Sequence, residues 1–221
     1  MKINIFPNIA IGKEETKLGK FSLYKSFPSS ASHLRASAYN GITKGSGTSE
    51  YYQDYLVVSF YLSRHALELG FKILAAHPLI SQPQKGHNLE RIWQEIQKPL
   101  SEKLKENIQF ISKKAWDVIS KSITEENNNI SNYHELLDIH IKDFSKKIQS
   151  AFNILRKNRM LNDEQLFRYE IHNNGHKLKT LSVIPQEDCE RIDEAVLAIY
   201  NMELLLRDVI WEINYAGSIA K

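Results

Sequence analysis

Residues 50–76 constrain the fold more than any other part of the sequence. Apolar residues occur nearly all around this stretch when it is drawn as a helix, and only one narrow polar line interrupts them. Spacings of 7, 4, 3 and 4 place the members of that line on one helix edge: Asp54, Tyr61, His65, Glu68 and Lys72. A helix with so thin a polar edge has to be covered by neighbours on most sides. The sequence therefore predicts a buried central helix, which ends at His77-Pro78 because the residue before a proline is pushed out of the helical conformation.

Four later segments carry helical patterns that predict neighbours for the central helix. Residues 87–97 predict a short helix that Pro99 stops, because proline cannot continue the backbone hydrogen bonding. Residues 101–123, 133–157 and 187–213 predict three longer helices. For 101–123 the expected inward face consists of Leu104, Ile108, Ile111, Ala115 and Val118. The fold class that follows is mainly α, a helical bundle built around the central helix.

Residues 1–49 differ from the rest of the chain in pattern and in charge. Short apolar runs broken by Pro7, Gly12 and Gly19 predict a β-like or irregular extension, with a short helix at 30–39. Seven Lys/Arg against two acidic residues give this extension a charge of +5, while the remainder sums to −2. Such a basic extension can contact phosphate or an acidic partner protein, and it can equally be a solvated lysine-rich surface.

Residues 167–182 alternate around Asn174-Gly175, which predicts a small β-hairpin between two of the helices. A two-residue turn keeps the apolar side chains on the inner face. The outer face then carries Arg168, His172, Lys177 and Lys179. A three-residue turn would place His172 opposite His176 but would set lysines beside apolar side chains, so the apolar pattern favours the first register.

Composition restricts the class of protein. With 25% charged and 42% hydrophobic residues among 221, the chain is typical of a globular domain. Its single cysteine, Cys189, cannot form an internal disulfide, which fits a reducing compartment. The N-terminus lacks the apolar run of a signal peptide, and no stretch approaches the roughly 20 apolar residues of a membrane span. We expect a cytoplasmic protein outside the membrane, and no spacing predicts a metal or cofactor site.

The polar edge of the central helix is the first candidate site. Glu68 and Lys72 form an i,i+4 pair, and His65 lies one turn before Glu68. His87, at the start of the next predicted helix, can approach them if the two helices pack as a hairpin. One interpretation is a polar cleft that binds a phosphate or nucleotide. The other is a buried network that fixes how the helices pack.

The predicted hairpin is the second candidate site. Arg168 can hold a scissile phosphate while His172 moves the proton of a 2′-hydroxyl, the combination that RNA cleavage needs. Together with His176, Lys177 and Lys179, the same surface can bind nucleic acid without any chemistry. The remaining interpretation is that these charges only keep an edge strand from aggregating.

Short motifs carry a family resemblance. The run LSRHALELGFKILAA, followed after a loop by GHNLERIW, resembles the helical HEPN superfamily (higher eukaryotes and prokaryotes nucleotide-binding domains). Members often show a helix of the form H-x-x-E-x-x-x-K-x-x-L and then G-H-x-L-x-x-L/W. With a small shift, the positions here are His65, Glu68, Lys72, Leu74, Gly86, His87, Leu89 and Trp93. The later run LFRYEIHNNG is similar to an F-R-Y-P…G segment of some bacterial members, with Glu170 in place of the proline.

The resemblance covers about residues 50–215, before a short tail at 216–221. It implies an up-and-down bundle of four or five helices, commonly dimeric. It also implies roles in RNA metabolism, toxin–antitoxin pairs or defence against phage. Active family ribonucleases carry an arginine followed four to six residues later by a histidine, usually on a helix and completed across a dimer. Here three residues separate Arg168 from His172 and seven separate it from His176, within a predicted hairpin.

Two functions follow as expectations. The first is a homodimeric HEPN-like protein that binds RNA or a nucleotide in a bacterial defence or toxin-type system, with a metal-independent ribonuclease as its more ambitious form. The second is a non-catalytic interaction module that docks on a cognate partner protein through the basic residues 1–49 and the surface of the bundle.

Overall fold

A computed structural model of the chain describes residues 49–82, 86–123, 132–158 and 185–219. This part is mainly helical, as predicted. It consists of α1 (Ser49–Ala75), α2 (Leu89–Glu106), a 3₁₀ turn (Ile108–Phe110), α3 (Lys113–Ile123), α4 (Tyr133–Lys157) and α5 (Gln186–Ile219). Residues 1–48 of the extension predicted over 1–49, and the β-hairpin predicted at 167–182, lie outside the described residues.

Ion pairs between helix ends show how the bundle runs. Glu90 at the start of α2 pairs with Arg156 at the end of α4, and Lys105 at the end of α2 lies 2.6 Å from Asp138 near the start of α4. These two helices are therefore antiparallel. Asp188 at the start of α5 lies 3.5 Å from Lys157 at the end of α4, so α4 and α5 are antiparallel as well. With α1 packed on α2 and α5, the result is an up-and-down bundle.

An aromatic cluster ties three of the helices together in the core. Phe71 of α1 lies 5.6 Å from Trp93 of α2 and 5.9 Å from Phe152 of α4, measured between ring centroids. Trp93 also meets Phe144 of α4 edge to face at 5.3 Å. Tilted and edge-to-face pairs of this kind contribute roughly 0.5–1.5 kcal/mol each beyond the area that they bury. The aromatic side chain that α1 presents to the core therefore packs against both α2 and α4.

The turn from α1 into α2 ends the first helix where the sequence predicts. The amide of His77 still donates to Leu74 O at 3.1 Å, but Pro78 follows, and the chain turns through a hydrogen bond from Gln82 N to Ala75 O at 2.8 Å. Gly86 then has a φ of +90°, a conformation that favours glycine because it has no Cβ. This turn brings His87 back against the side of α1.

Pro99 does not stop α2, so the prediction of two separate helices on either side of it is wrong. The helix continues through Pro99 to Glu106. Buried residues lie both before and after the proline: Leu89, Ile92, Trp93, Ile96, Leu100 and Leu104. Their shared packing surface offsets the loss of the hydrogen bond that a proline nitrogen cannot donate.

The helix break lies instead between Asn107 and Ser112. Asn107 is the C-cap of α2, and a 3₁₀ turn follows it. Ser112 donates from its amide and its hydroxyl to the Asp208 carboxylate of α5, at 3.0 and 2.9 Å. Its hydroxyl oxygen also accepts from Ala115 N at 3.2 Å, as a residue that starts a helix does.

This break also changes which side of α3 faces the core. An uninterrupted helix over 101–123 would bury Val118, but Val118 is 62% exposed, and Trp116 and Ile119 are buried in its place.

The remaining helices agree better with the sequence patterns. The bounds of α4 are those predicted, while α5 continues past residue 213 to Ile219. Among the described helices, none has both the length and the apolar character needed to cross a bilayer.

Candidate functional site

The polar edge of α1 lies against the turn that leads into α2, and Glu68 is its central residue. The Glu68 side chain is only 2% exposed. It points from α1 toward His87, which directly precedes Asn88, the N-cap of α2. The approach of His87 to this edge, expected if the two helices packed as a hairpin, is therefore confirmed.

Three side chains hold the Glu68 carboxylate. Its Oε1 accepts from Lys72 Nζ at 2.8 Å and lies 2.7 Å from His87 Nδ1. Its Oε2 accepts from Arg64 Nη1 at 3.3 Å. We refer to these four residues and His65 as the Glu68 cluster.

Arg64 belongs to the cluster although the sequence pattern did not single it out. Its side chain is 2% exposed, and its Nη2 donates to the backbone oxygen of His87 at 3.2 Å. Arg64 therefore contacts both the Glu68 carboxylate and the backbone of His87, the residue whose ring Glu68 holds. The signal was present in the sequence, since Arg64 and Lys72 lie four residues before and after Glu68, where side chains on a helix meet.

The pKa of Glu68 lies below its ordinary value. Burial by itself raises this pKa, but the hydrogen bonds from Lys72 and His87, together with their charges, outweigh the burial and lower it. The carboxylate is therefore ionised at neutral pH. Because an ionised carboxylate only accepts hydrogen bonds, the proton in the contact with His87 lies on Nδ1 of the imidazole.

The pKa of His65 also lies below its ordinary value. Partial burial is the main cause, and the positive charges of Arg64 and Lys72 act in the same direction. The negative charge of Glu68 opposes them without reversing the shift. His65 is therefore mainly neutral at pH 7 and adds no charge to the cluster.

The cluster has an excess of positive charge, and part of that charge reaches solvent. Arg64 and Lys72 oppose the single carboxylate of Glu68 when both histidines are neutral. Arg64 and Glu68 are buried, whereas Lys72 is 27% and His87 52% exposed. The Lys72 ammonium at the surface has N–H groups besides the one that Glu68 accepts, and these can donate hydrogen bonds to an anion such as phosphate. An imidazole held by a carboxylate can also move a proton.

Several residues predicted for function lie outside what the structure describes. For Asp54 and Tyr61 it gives the helical backbone of α1 but not the side chains. The hairpin residues Arg168, His172, His176, Lys177 and Lys179 fall within the undescribed range 159–184, so their role stays a prediction. Within the described ranges, no three His, Cys, Asp or Glu side chains converge as a metal site requires.

Comparisons with models of known protein families, with curated proteins and with solved structures found no match for this chain.

Proposed function

We propose that this chain is a HEPN-like helical protein, acting as a homodimer, that binds RNA or a nucleotide in a bacterial defence or toxin–antitoxin type system. The phosphate binds at the Glu68 cluster. The observation that carries the proposal is the pair of surface nitrogen groups, Lys72 Nζ and the His87 ring, that one buried carboxylate holds side by side. The resemblance of the same residues to HEPN motifs supplies the biological setting.

The burial pattern favours binding over a purely structural network. A charge network that only fixes how the helices pack needs charged groups inside the bundle. The buried pair of Arg64 and Glu68 already provides them. Lys72 and His87 add two further donors to the same carboxylate from the solvent side. Glu68 thereby limits the motion of both side chains before any ligand arrives, which lowers the entropy cost of binding an anion.

The test is Lys72→Gln, with binding measured by fluorescence anisotropy for a labelled single-stranded RNA and for labelled ATP. Loss of one charged hydrogen bond to phosphate should weaken binding about 10-fold and lower the salt dependence by about one phosphate contact. The matched control is Lys98→Gln, which removes the same charge from an exposed position on α2. Equal binding by both variants, or no binding of either probe by the unchanged protein, would leave the cluster a packing network.

The ribonuclease form of the proposal assigns phosphate contact to Arg168 and proton transfer to His172. Arg168→Ala or His172→Ala should then abolish RNA cleavage by the pure protein. Cleavage that survives both substitutions would remove the hairpin from the chemistry.

The second candidate is a non-catalytic module that docks on a partner protein. The charge of +5 over residues 1–49 favours it, because a basic segment can bind an acidic protein as well as phosphate. This function predicts no RNA binding at any salt concentration. It also predicts that the chain without residues 1–49 no longer captures its partner protein. That partner is the protein encoded beside this chain or the protein that co-purifies with it.

A further inference from the structure

We propose that the end of α5 is an intramolecular docking surface, on which residues 1–48 fold back and cover the exposed side chains of Trp211 and Tyr215. We refer to these two residues as the aromatic pair. The segment that we assign to the aromatic pair is the apolar run FSLY at 21–24. This docking uses no residue of the Glu68 cluster and does not rest on the proposed function.

The end of α5 projects beyond α4. The two helices run antiparallel from the contact between Lys157 and Asp188. Tyr133, the first residue of α4, lies 24 residues from Lys157, and Trp211 lies 23 residues from Asp188. Trp211 is therefore level with the start of α4. The last eight residues of α5, 212–219, extend about 12 Å past it.

The aromatic pair lies on this projecting end and faces solvent. Trp211 is 70% exposed and Tyr215 is 57% exposed, and the spacing of four residues places both side chains on one edge of the helix. Aromatic side chains bury large apolar areas when another segment covers them, which is favourable. An exposed patch of this kind is typical of a surface that binds another segment or molecule.

Residues 1–48 join the bundle beside the aromatic pair. Phe71 of α1 packs against Phe152, five residues before the end of α4, and Ser49 lies 22 residues before Phe71. Ser49 is therefore 27 residues from the end of α4 at which α5 begins. Tyr215 is likewise 27 residues from Asp188, so both lie about 40 Å along the bundle. Because α1 packs on α5, the preceding chain begins next to Tyr215.

The charges of the two partners are opposite. Residues 1–48 carry +5. Residues 49–63 of α1 carry two acidic residues and no basic one, and residues 203–219 of α5 carry three acidic residues and one basic one, which together sum to −4. The charged residues of these two stretches are Glu50, Asp54, Glu203, Arg207, Asp208 and Glu212. The attraction between opposite charges therefore favours the basic segment on this half of the bundle.

Covalent attachment favours the same chain over a second copy as the occupant. Residues 25–48 connect FSLY to α1, and a linker of 24 residues spans roughly 25 Å even without regular structure. That span is enough to reach from Ser49 to Trp211. A tethered segment has an effective concentration on the order of millimolar, whereas a second copy competes only at the concentration of the protein itself.

The experiment uses the full chain with Cys189→Ala, a nitroxide attached at Ser22→Cys, and 5-fluorotryptophan at the three tryptophans. Fluorine NMR then measures how strongly the nitroxide broadens each tryptophan signal. We expect Trp211 to lose at least about half of its peak height relative to the reduced nitroxide. Trp93 should keep its peak height, because it packs on Phe71 and lies about 25 Å further along the bundle.

Matched variants separate docking from simple proximity of a tethered segment. Tyr215→Ser removes half of the aromatic pair but keeps the Trp211 signal, so the peak height of Trp211 should recover. Val118→Ser removes an equally exposed apolar side chain from α3, and the broadening should stay as it was. Salt at about 0.5 M should also restore part of the peak height, because it screens the attraction between charges. Circular dichroism checks that each variant is folded.

A mixed sample identifies the occupant. It contains fluorinated protein without nitroxide and nitroxide-labelled protein without fluorine, and we expect no broadening in it. Broadening there would assign the surface to a second copy and overturn the proposal. An unbroadened Trp211 in the doubly labelled chain, or equal broadening in Tyr215→Ser and Val118→Ser, would overturn it as well.

Discussion

Glu68 keeps an ionised carboxylate in a position that is almost closed to solvent. Burial of such a charge is unfavourable unless neighbouring groups compensate for it. Here the compensation comes from Arg64 inside the bundle and from Lys72 and His87 at its surface. The contacts to Lys72 and His87 are also shorter than the contact to Arg64. The folded chain therefore depends on Glu68 to neutralise Arg64, and the surface groups depend on it for their orientation.

This arrangement predicts a large effect on stability at a single residue. Glu68→Ala leaves the Arg64 guanidinium buried without its carboxylate, so the free energy of unfolding should fall by about 3–5 kcal/mol in urea denaturation. Glu102→Ala removes an exposed carboxylate from α2, and it should change that energy by less than about 0.5 kcal/mol. The double variant Arg64→Met, Glu68→Leu should regain most of the loss. A small effect of Glu68→Ala would mean that the other contacts of Arg64, such as its hydrogen bond to the backbone oxygen of His87, are sufficient to keep it buried.

At the scale of elements, α2 shows how packing can override a local preference. Pro99 lies inside the helix, where its nitrogen cannot donate to the carbonyl of Glu95. Ile96 before the proline and Leu100 after it are both buried against the same core. Ending the helix at Pro99 would withdraw part of this apolar surface. Continuing the helix costs one hydrogen bond and keeps the buried area.

Pro99→Ala should therefore stabilise the protein. Alanine restores the missing donor and has the highest helix propensity, so we expect the free energy of unfolding to rise by roughly 1–3 kcal/mol. Gln97→Ala, at an exposed position on the same helix, should change it by no more than about 0.5 kcal/mol. Urea denaturation of both variants measures the difference. Destabilisation by Pro99→Ala would show that the proline ring itself fills space that alanine leaves empty.

At the scale of the whole molecule, several titrating groups act on stability in the same direction. The pKa values of His65 and His140 are lowered mainly by burial, and that of Glu68 is lowered by its hydrogen bonds against the effect of burial. In each case the unfolded chain takes up a proton at a higher pH than the folded chain. Stability is therefore complete above the ordinary pKa of each group and decreases as pH falls toward its folded pKa.

The bundle should accordingly lose stability in two stages on acidification. The histidines act first, as pH falls below their ordinary pKa of 6.5, and Glu68 acts below 4.5. Thermal unfolding between about pH 7 and 5 measures the first stage. His140→Gln removes one of the histidines that act in the first stage, so this variant should lose less stability than the unchanged protein between about pH 7 and 5. His134→Gln should lose as much stability as the unchanged protein. An identical loss in both variants would exclude His140 as a contributor.

The sequence predicted the approach of His87 to Glu68 only for the case in which the two helices pack as a hairpin. By itself it determined the extent of α4 and the end of α1 before Pro78. Each of these depends on features within a few residues, namely an apolar period, a cap, or a proline and a glycine in one turn. Only the tertiary structure decided that α2 continues through Pro99, that α3 turns Val118 outward and that Arg64 is buried. These outcomes depend on residues far away in the sequence. Ser112 donates hydrogen bonds to Asp208 of α5, and α2 packs against α1 and α4. A local pattern states which residues prefer to be buried, but the free energy of the assembled bundle decides which of those preferences are satisfied.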